Sequence, residues 1–322
     1  MSRTRFFAHR STLALVAVPF FLSLLAACDP PRRSKDTVAV KQPVQEEPKA
    51  IPAGGLPAKP APTPVESVAP ASFEAGEAAF KARNYDEAKK QFAGYLTTKP
   101  DHSFGYYMLG MAAWKDGDFR AADKAFTKAI SLDPKHAKSH LNGARVLLEL
   151  GRGEEALERA KAGVELEPKS PEALRVLARA QAAVGRVDEA VTSYRLALIA
   201  DDRDVWSLNN LGMLYVEIGD PDAALGPLAR AVQLKGTSPV FLNNLGVALE
   251  LDGYPVTARD LFAEAVRSDS TYTKAVKNLE RMKALVPDSA VAEGLSIKKV
   301  ADLFRLEVEM WKESTLVQDS VR

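Results

Sequence analysis

The sequence predicts an all-α solenoid of about six helix-turn-helix units closed by a C-terminal capping helix, and two columns of residues carry that prediction. Alanine recurs every 34 residues, at Ala88, Ala122, Ala156, Ala190, Ala224 and Ala258. Glycine keeps step with it at Gly117, Gly151, Gly185, Gly219 and Gly253, with Arg83 in the first slot. A period of about 20–50 residues marks stacked units, each too small to bury its own apolar face.

Two further columns hold the same register. One reads Phe92, Phe126, Ala160, Tyr194, Leu228, Phe262; the other reads Gly76, Gly110, Ala144, Ala178, Gly212, Gly246. The units end at Pro100, Pro134 and Pro168, and then at Asp202, Gly236 and Ser270. Each column has a mechanical reason. The central glycine suits the left-handed residue that ends a helix, so it divides two helices. The small residue near the start of each unit lets a neighbouring helix come close. The alanine sits where two antiparallel helices cross, and the aromatic or leucine one turn later fills the space beyond. Proline stops the second helix and opens the next unit.

By length, columns and helix-turn-helix order these units resemble the tetratricopeptide repeat, over about residues 69–272. The resemblance implies a right-handed superhelical solenoid whose first helices line a concave face that takes peptides or protein segments. The third unit departs from the pattern, with Gly143, Ala144 and Ala160 in place of more typical residues. Residues 273–286 carry Ala275, Val276, Leu279, Met282 and Leu285 at helical spacing and read as the closing helix, so the solenoid spans 71–286. The tail, 287–322, is amphipathic: Ile297, Val300, Phe304, Val308 and Trp311 share one stripe, with Leu303, Leu306 and Met310 beside it. Packing against the last repeat is the expected use of that stripe, and a partner-binding helix is the alternative.

The N-terminal segment reads differently. Arg3, Arg5 and Arg10 precede an apolar stretch from Thr12 to Ala27, broken by Pro19 and ending Leu25-Ala26-Ala27-Cys28. A basic start, a short apolar run and small residues before a cut are the layout of a secretory signal. The run is marginal for a spanning helix, which needs about 20 apolar residues. Leu25 to Cys28 resembles the bacterial lipobox. That resemblance implies a signal peptide over 1–27 and a mature N-terminus at Cys28 carrying a diacylglyceryl thioether, with palmitate-type chains holding the protein to a membrane. Asp29 resembles the enteric signal for the inner membrane, a rule other bacteria do not share, so the choice between inner and outer membrane stays open. Residues 29–71 hold ten of the chain's 20 prolines and few large apolar residues, too few to offset the cost of ordering the backbone. Residues 28–70 are therefore expected to be a disordered tether, about 120 Å long at full polyproline extension and about 35 Å as a flexible coil.

Composition narrows the function. The chain has 43 Lys plus Arg against 42 Asp plus Glu, and setting aside the three arginines before Cys28 leaves 40 against 42. That balance lacks the basic field nucleic acid requires. One cysteine allows no internal disulfide and no multi-cysteine metal site. There is no phosphate loop, nucleophile elbow or dinucleotide fingerprint. His136 and His140 stand four apart but lack the glutamate and third ligand of a zinc site, and read as exposed helix-start residues. The expectation is a protein that is not an enzyme, with no cofactor, no metal and no small-molecule substrate.

The candidate binding residues lie on the first helix of each unit. Phe104, Tyr107, Met111 and Trp114 share one face of the second unit. Asn142 and Arg145 lie in the third, Arg175 and Arg179 in the fourth, Asn209, Asn210 and Met213 in the fifth, and Asn243, Asn244 and Val247 in the sixth. In related arrays the position shared by Asn142, Asn210 and Asn244 often presents asparagine to a bound backbone; an amide both donates and accepts. The structural reading, in which the paired asparagines satisfy one another between repeats, is equally open. The arginines either clamp a carboxylate or are screened, Arg175 by Glu172 on its own helix. The functional expectation is a lipid-anchored adaptor of the bacterial cell envelope, of the pilus or secretion kind: Leu208-Asn209-Asn210-Leu211-Gly212 resembles pilus-assembly lipoproteins. The alternative is a docking subunit that localises an envelope hydrolase.

Overall fold

The computed structural model describes residues 71–286, 290 and 294–320, which form fourteen α-helices and no strand. The expected signal peptide, Cys28, Asp29 and the proline-rich tether lie outside the described residues. Helices α1 (Phe73–Lys81) and α2 (Tyr85–Thr98) make the first unit, α3 (Ser103–Asp116) and α4 (Phe119–Leu132) the second, and α5 (Ala137–Glu149) and α6 (Gly153–Leu166) the third. The fourth is α7 (Pro171–Ala183) and α8 (Val187–Ala200), the fifth α9 (Val205–Glu217) and α10 (Pro221–Leu234), and the sixth α11 (Pro239–Leu251) and α12 (Pro255–Ser268). Helix α13 (Thr273–Leu285) closes the array, and α14 (Ile297–Ser320) follows. We call the first helix of each unit A and the second B.

The turn inside each unit is set by one left-handed residue. Gly117, Gly151, Gly185, Gly219 and Gly253 have φ between 71° and 88°, and Arg83 fills the first slot at φ 60°, the only non-glycine with positive φ among the described residues. Reversed hydrogen bonds seal the helix end: Asp118 N donates to Ala113 O at 2.9 Å and Gly117 N to Trp114 O at 3.0 Å. In units one, two and five the next helix starts on a side-chain cap, Asn84, Asp118 and Asp220 accepting from Glu87, Ala121 and Ala223.

Within a unit the small and large columns are two halves of one contact. A Cβ on Gly76 would lie 2.6 Å from the Phe92 ring, one on Gly110 2.8 Å from Phe126, and one on Gly246 2.6 Å from Phe262. The alanine column is wholly buried between them. The third unit keeps the volume but moves it: Ala144 and Ala160 are both small, and Leu141 of α5 presses instead into Gly163 of α6.

Consecutive A helices touch one another, whereas no described B helix touches another B helix. The array therefore bends with the A helices inside. Helix α13 covers α12 and α11, burying Ala275 and Met282, as a closing helix should.

Helix α14 does not lie on the last repeat, as its amphipathic stripe suggested. It runs back and rests on α10 and α8, the B helices of units five and four, and on no other described helix. The reason is the gap that the bend opens between B helices, which Phe304, Val308 and Trp311 fill together with Tyr194 and Leu198. Polar contacts fix its register: Lys312 bonds Asp202 at 2.8 Å, Gln233 donates to Asp302 at 2.8 Å, and the Arg195 guanidinium stands 4.8 Å over Trp311. Among the described residues no helix is long and apolar enough to cross a membrane.

Candidate protein-binding face

One position on the A helices stays at the surface in every unit from the second onward. It holds Met111, Arg145, Arg179, Met213, Val247 and Arg281, each 34 residues from the next and none buried. The residues that follow them, Ala112, Val146, Ala180, Leu214, Ala248 and Met282, all lie in the core. A period close to 3.6 turns the next side chain about 100° away, so this row is the rail of the inner face. Arg281, in the closing helix, was missed among the candidate residues; the 34-residue register that marked the others also marks it.

The rail has three kinds of lining. At the second unit it is aromatic. Phe104 stacks on Tyr107 with centroids 5.5 Å apart and approaches Phe73 at 5.9 Å, and His136 sets its edge on Tyr107 at 4.8 Å. Asn142 reaches back from the third unit, donating to Tyr107 Oη at 3.3 Å and to Met111 Sδ at 3.2 Å. Burial, with the charge of Glu172 second, raises the Tyr107 hydroxyl above its usual range, so it stays protonated and able to donate. These rings join units one to three, yet Phe104 remains 42% exposed and open to a ligand.

The middle is charged. Arg145 bonds Glu172 of the next unit at 2.6 Å, Arg175 bonds Asp204 of the next at 2.5 Å, and Arg179 stands 3.8 Å from Glu149. Glu172 thus serves Arg145 across the repeat, whereas the sequence suggested it as the screen for Arg175 on its own helix. Asp204 takes that part because it caps α9 directly opposite. Burial lowers the pKa of Arg145, offset in part by the charge of Glu172, and the group stays cationic at any ordinary pH. Burial works to raise the Glu172 carboxyl, but the charge and hydrogen bond of Arg145 outweigh it and hold it below the usual carboxylate range.

Toward the C-terminal end the lining is amide. Asn209 Nδ2 donates to Asn210 Oδ1 at 3.2 Å, Asn244 Nδ2 to Asn209 Oδ1 at 2.8 Å, Asn243 Nδ2 to Asn244 Oδ1 at 3.2 Å, and Asn278 Nδ2 to Asn243 Oδ1 at 2.9 Å. This ladder ties units five, six and the closing helix together. Asn209, Asn243 and Asn244 are buried in it, as is Asn142 in its own cluster, while Asn210 stays partly exposed beside Met213. The bonds are those of the structural reading of the asparagine pairs. The side chains that face outward are Asn210, Met213 and Val247.

The histidines belong to the scaffold. His136 starts α5 and bonds Ser139 Oγ at 2.6 Å through Nδ1. His140, expected at the surface, is buried, with Nε2 2.9 Å from the carbonyl of Pro134. The turn after Pro134 folds that carbonyl over the start of α5, which is why the ring lies inward. Among the described residues no group of three or more His, Cys, Asp or Glu is placed to hold a metal ion.

Family models described as tetratricopeptide repeat match residues 113–180, 147–210 and 209–273. Among solved structures, a thermophilic tetratricopeptide repeat protein of Thermus thermophilus, TTC0263, is 22% identical over 57% of this chain and 100% of its own, with a TM-score of 0.52. The Cut9–Hcn1 complex of the APC/C matches at 18% identity over 64% of this chain and 41% of the matched one, TM-score 0.56. PilF of Pseudomonas aeruginosa matches at 16% identity over 67% of this chain and 97% of its own, TM-score 0.50. No curated protein matches the chain. Identities this low establish the fold. With the register, the helix pairs and the matched models agreeing, the chain belongs to the tetratricopeptide repeat family and is built as a protein–protein interaction scaffold.

Proposed function

We propose that this protein is a lipid-anchored adaptor of the bacterial cell envelope, which holds a segment of another protein along the inner face of its A helices as an accessory of pilus or secretion machinery. The observation that carries the binding part is the rail of Met111, Arg145, Arg179, Met213 and Val247, one surface position per repeat beside a buried neighbour. An extended peptide crossing it would meet aromatic, charged and then apolar-amide lining in turn. The arginines already have carboxylate partners, so a bound acidic group would compete for them, and most of the affinity would come from Phe104 at one end and Met213 and Val247 at the other. Support for the anchor is the basic start, the apolar run and the Leu25-Ala26-Ala27-Cys28 sequence. Support for the pilus or secretion role is the resemblance of Leu208 to Gly212 to pilus-assembly lipoproteins.

The test has two arms. Mass spectrometry of the N-terminus from cells should find an acylated Cys28; an intact Met1 or an unmodified Cys28 removes the anchor. Capture from membranes should recover a partner with the parent chain and lose most of it with Met213→Ala plus Val247→Ala, each truncation costing about 1 kcal/mol or more if it lies in the interface. Undiminished capture removes the inner face as the site.

A further inference from the structure

The outer ridge of α14 carries a pattern its intramolecular packing does not use. The inward side, with Phe304 and Val308, is buried on α10 and α8. Along the outward side runs a row of exposed residues, Lys299, Leu303, Leu306, Met310 and Glu313, separated by four, three, four and three positions. Leu303, Leu306 and Met310 are 55%, 46% and 60% exposed. Alternate spacing of four and three averages about 3.5, the period of a seam between two supercoiled helices. The ion pairs of this helix use Lys298 with Asp302, Arg305 with Glu309, and Lys312 with Asp202. Lys299 and Glu313 therefore have no ion-pair partner among the described residues, and they stand at opposite ends of the apolar row.

We propose that this ridge is a self-association seam, in which α14 of one copy lies antiparallel against α14 of a second about a two-fold axis at Leu306. The charges select both the occupant and its direction. In the antiparallel arrangement Leu306 meets its own equivalent, Leu303 of each copy meets Met310 of the other, and Lys299 of each meets Glu313 of the other. A parallel arrangement sets Lys299 on Lys299 and Glu313 on Glu313, which like charges oppose. A two-fold contact of this kind closes on itself and adds no further copies. Specific interfaces bury about 1,200–2,000 Å² in total, and three apolar residues per copy fall at or below that range, so the dimer is weak and exchanges readily. Because α14 rides on the B helices, the A-helix face of each copy stays open, and the pair presents two such faces. Two weakly held sites joined in this way bind a repeated partner more tightly than either alone.

Cysteine cross-linking of the full chain, with sedimentation, tests this. Leu306→Cys should form a disulfide-linked dimer under mild copper–phenanthroline oxidation, above the background of the parent chain, whose one cysteine is Cys28. Glu313→Cys alone should cross-link poorly, whereas Lys299→Cys mixed with Glu313→Cys should give the mixed dimer. In sedimentation, Lys299→Glu should weaken the dimer by about tenfold, roughly 1.4 kcal/mol, and Lys299→Glu with Glu313→Lys should restore it. These positions are exposed, so the melting temperature should not move. A chain that stays monomeric up to about 200 µM overturns the proposal. So does efficient self-cross-linking through Glu313→Cys, or a Leu306→Cys thiol shielded by anionic lipid vesicles and never by a second copy.

Discussion

Phe304 of α14 lies against the bare backbone of Gly226 in the middle of α10, and a Cβ there would stand 2.8 Å from the ring edge and 3.2 Å from the Phe304 Cβ. The same position in the other units holds Lys90, Lys124, Glu158, Thr192 and Asp260, each polar and exposed. Next to it stands Pro227, inside the helix, where no backbone N–H is left to donate to Ala223 O. Glycine and proline in a helix interior cost about 1 and 3 kcal/mol relative to alanine. Unit five therefore carries a weak B helix at the place where α14 covers it.

Gly226→Leu should displace α14 and leave the solenoid folded. The overpacking costs about 1–3 kcal/mol, and hydrogen exchange should accelerate across residues 297–315 while α3 to α7 stay protected. Uniform acceleration would mean that α14 and the repeats unfold as one body.

Arg83 occupies the left-handed slot that glycine fills in the next five units. A non-glycine pays about 1–2 kcal/mol there, and glycine gives back about 0.5–1 kcal/mol through the entropy of the unfolded chain. Arg83→Gly should accordingly raise stability by about 0.5–1 kcal/mol, read as a higher denaturant midpoint with an unchanged slope. No gain would show that the Arg83 side chain contributes a compensating contact.

The solenoid was legible in the sequence because every column answers to one local demand repeated at fixed spacing: Gly117 to a left-handed turn, Ala122 to a helix crossing, Gly110 to the Phe126 ring. Helix α13 was legible for the same reason. The seat of α14 was not, because its stripe says which side is buried but not against what; the signal was Gly226 breaking a polar column, visible only once that column is known to face outward. On the inner face, Asn209 and Asn210 look alike in sequence. A one-residue difference in helix phase buries the first in the ladder and leaves the second at the surface.

Asn244→Ala should cost stability. It removes the donor to Asn209 Oδ1 and the acceptor for Asn243 Nδ2, both in buried surroundings. Each group left without a partner costs about 1–3 kcal/mol, so the melting temperature should fall by several degrees. Asn210→Ala, at the exposed end, should fall by less. Equal effects would mean that the ladder relaxes to water.

His136 gives the fold a pH response of known sign. Burial lowers its pKa below the usual 6.5, with the attraction of Asp133 working against it. Between the lowered value and about 6.5 the unfolded chain binds the proton and the folded chain does not, so stability rises with pH through that window and is complete above it. Acidification from about pH 7.5 to about pH 5.5 should weaken the parent chain more than His136→Phe. A histidine titration by NMR that places His136 above 6.5 would contradict this.

The claim that the rail of the A helices is the binding face is tested most directly by site-specific photo-cross-linking in cells. A photoreactive residue at Met213 or Val247, on the rail, should capture a defined protein partner in one discrete product. The same residue at Lys124, on the exposed side of α4, should capture none. Capture from Lys124 alone, or equal products from both faces, would contradict the account.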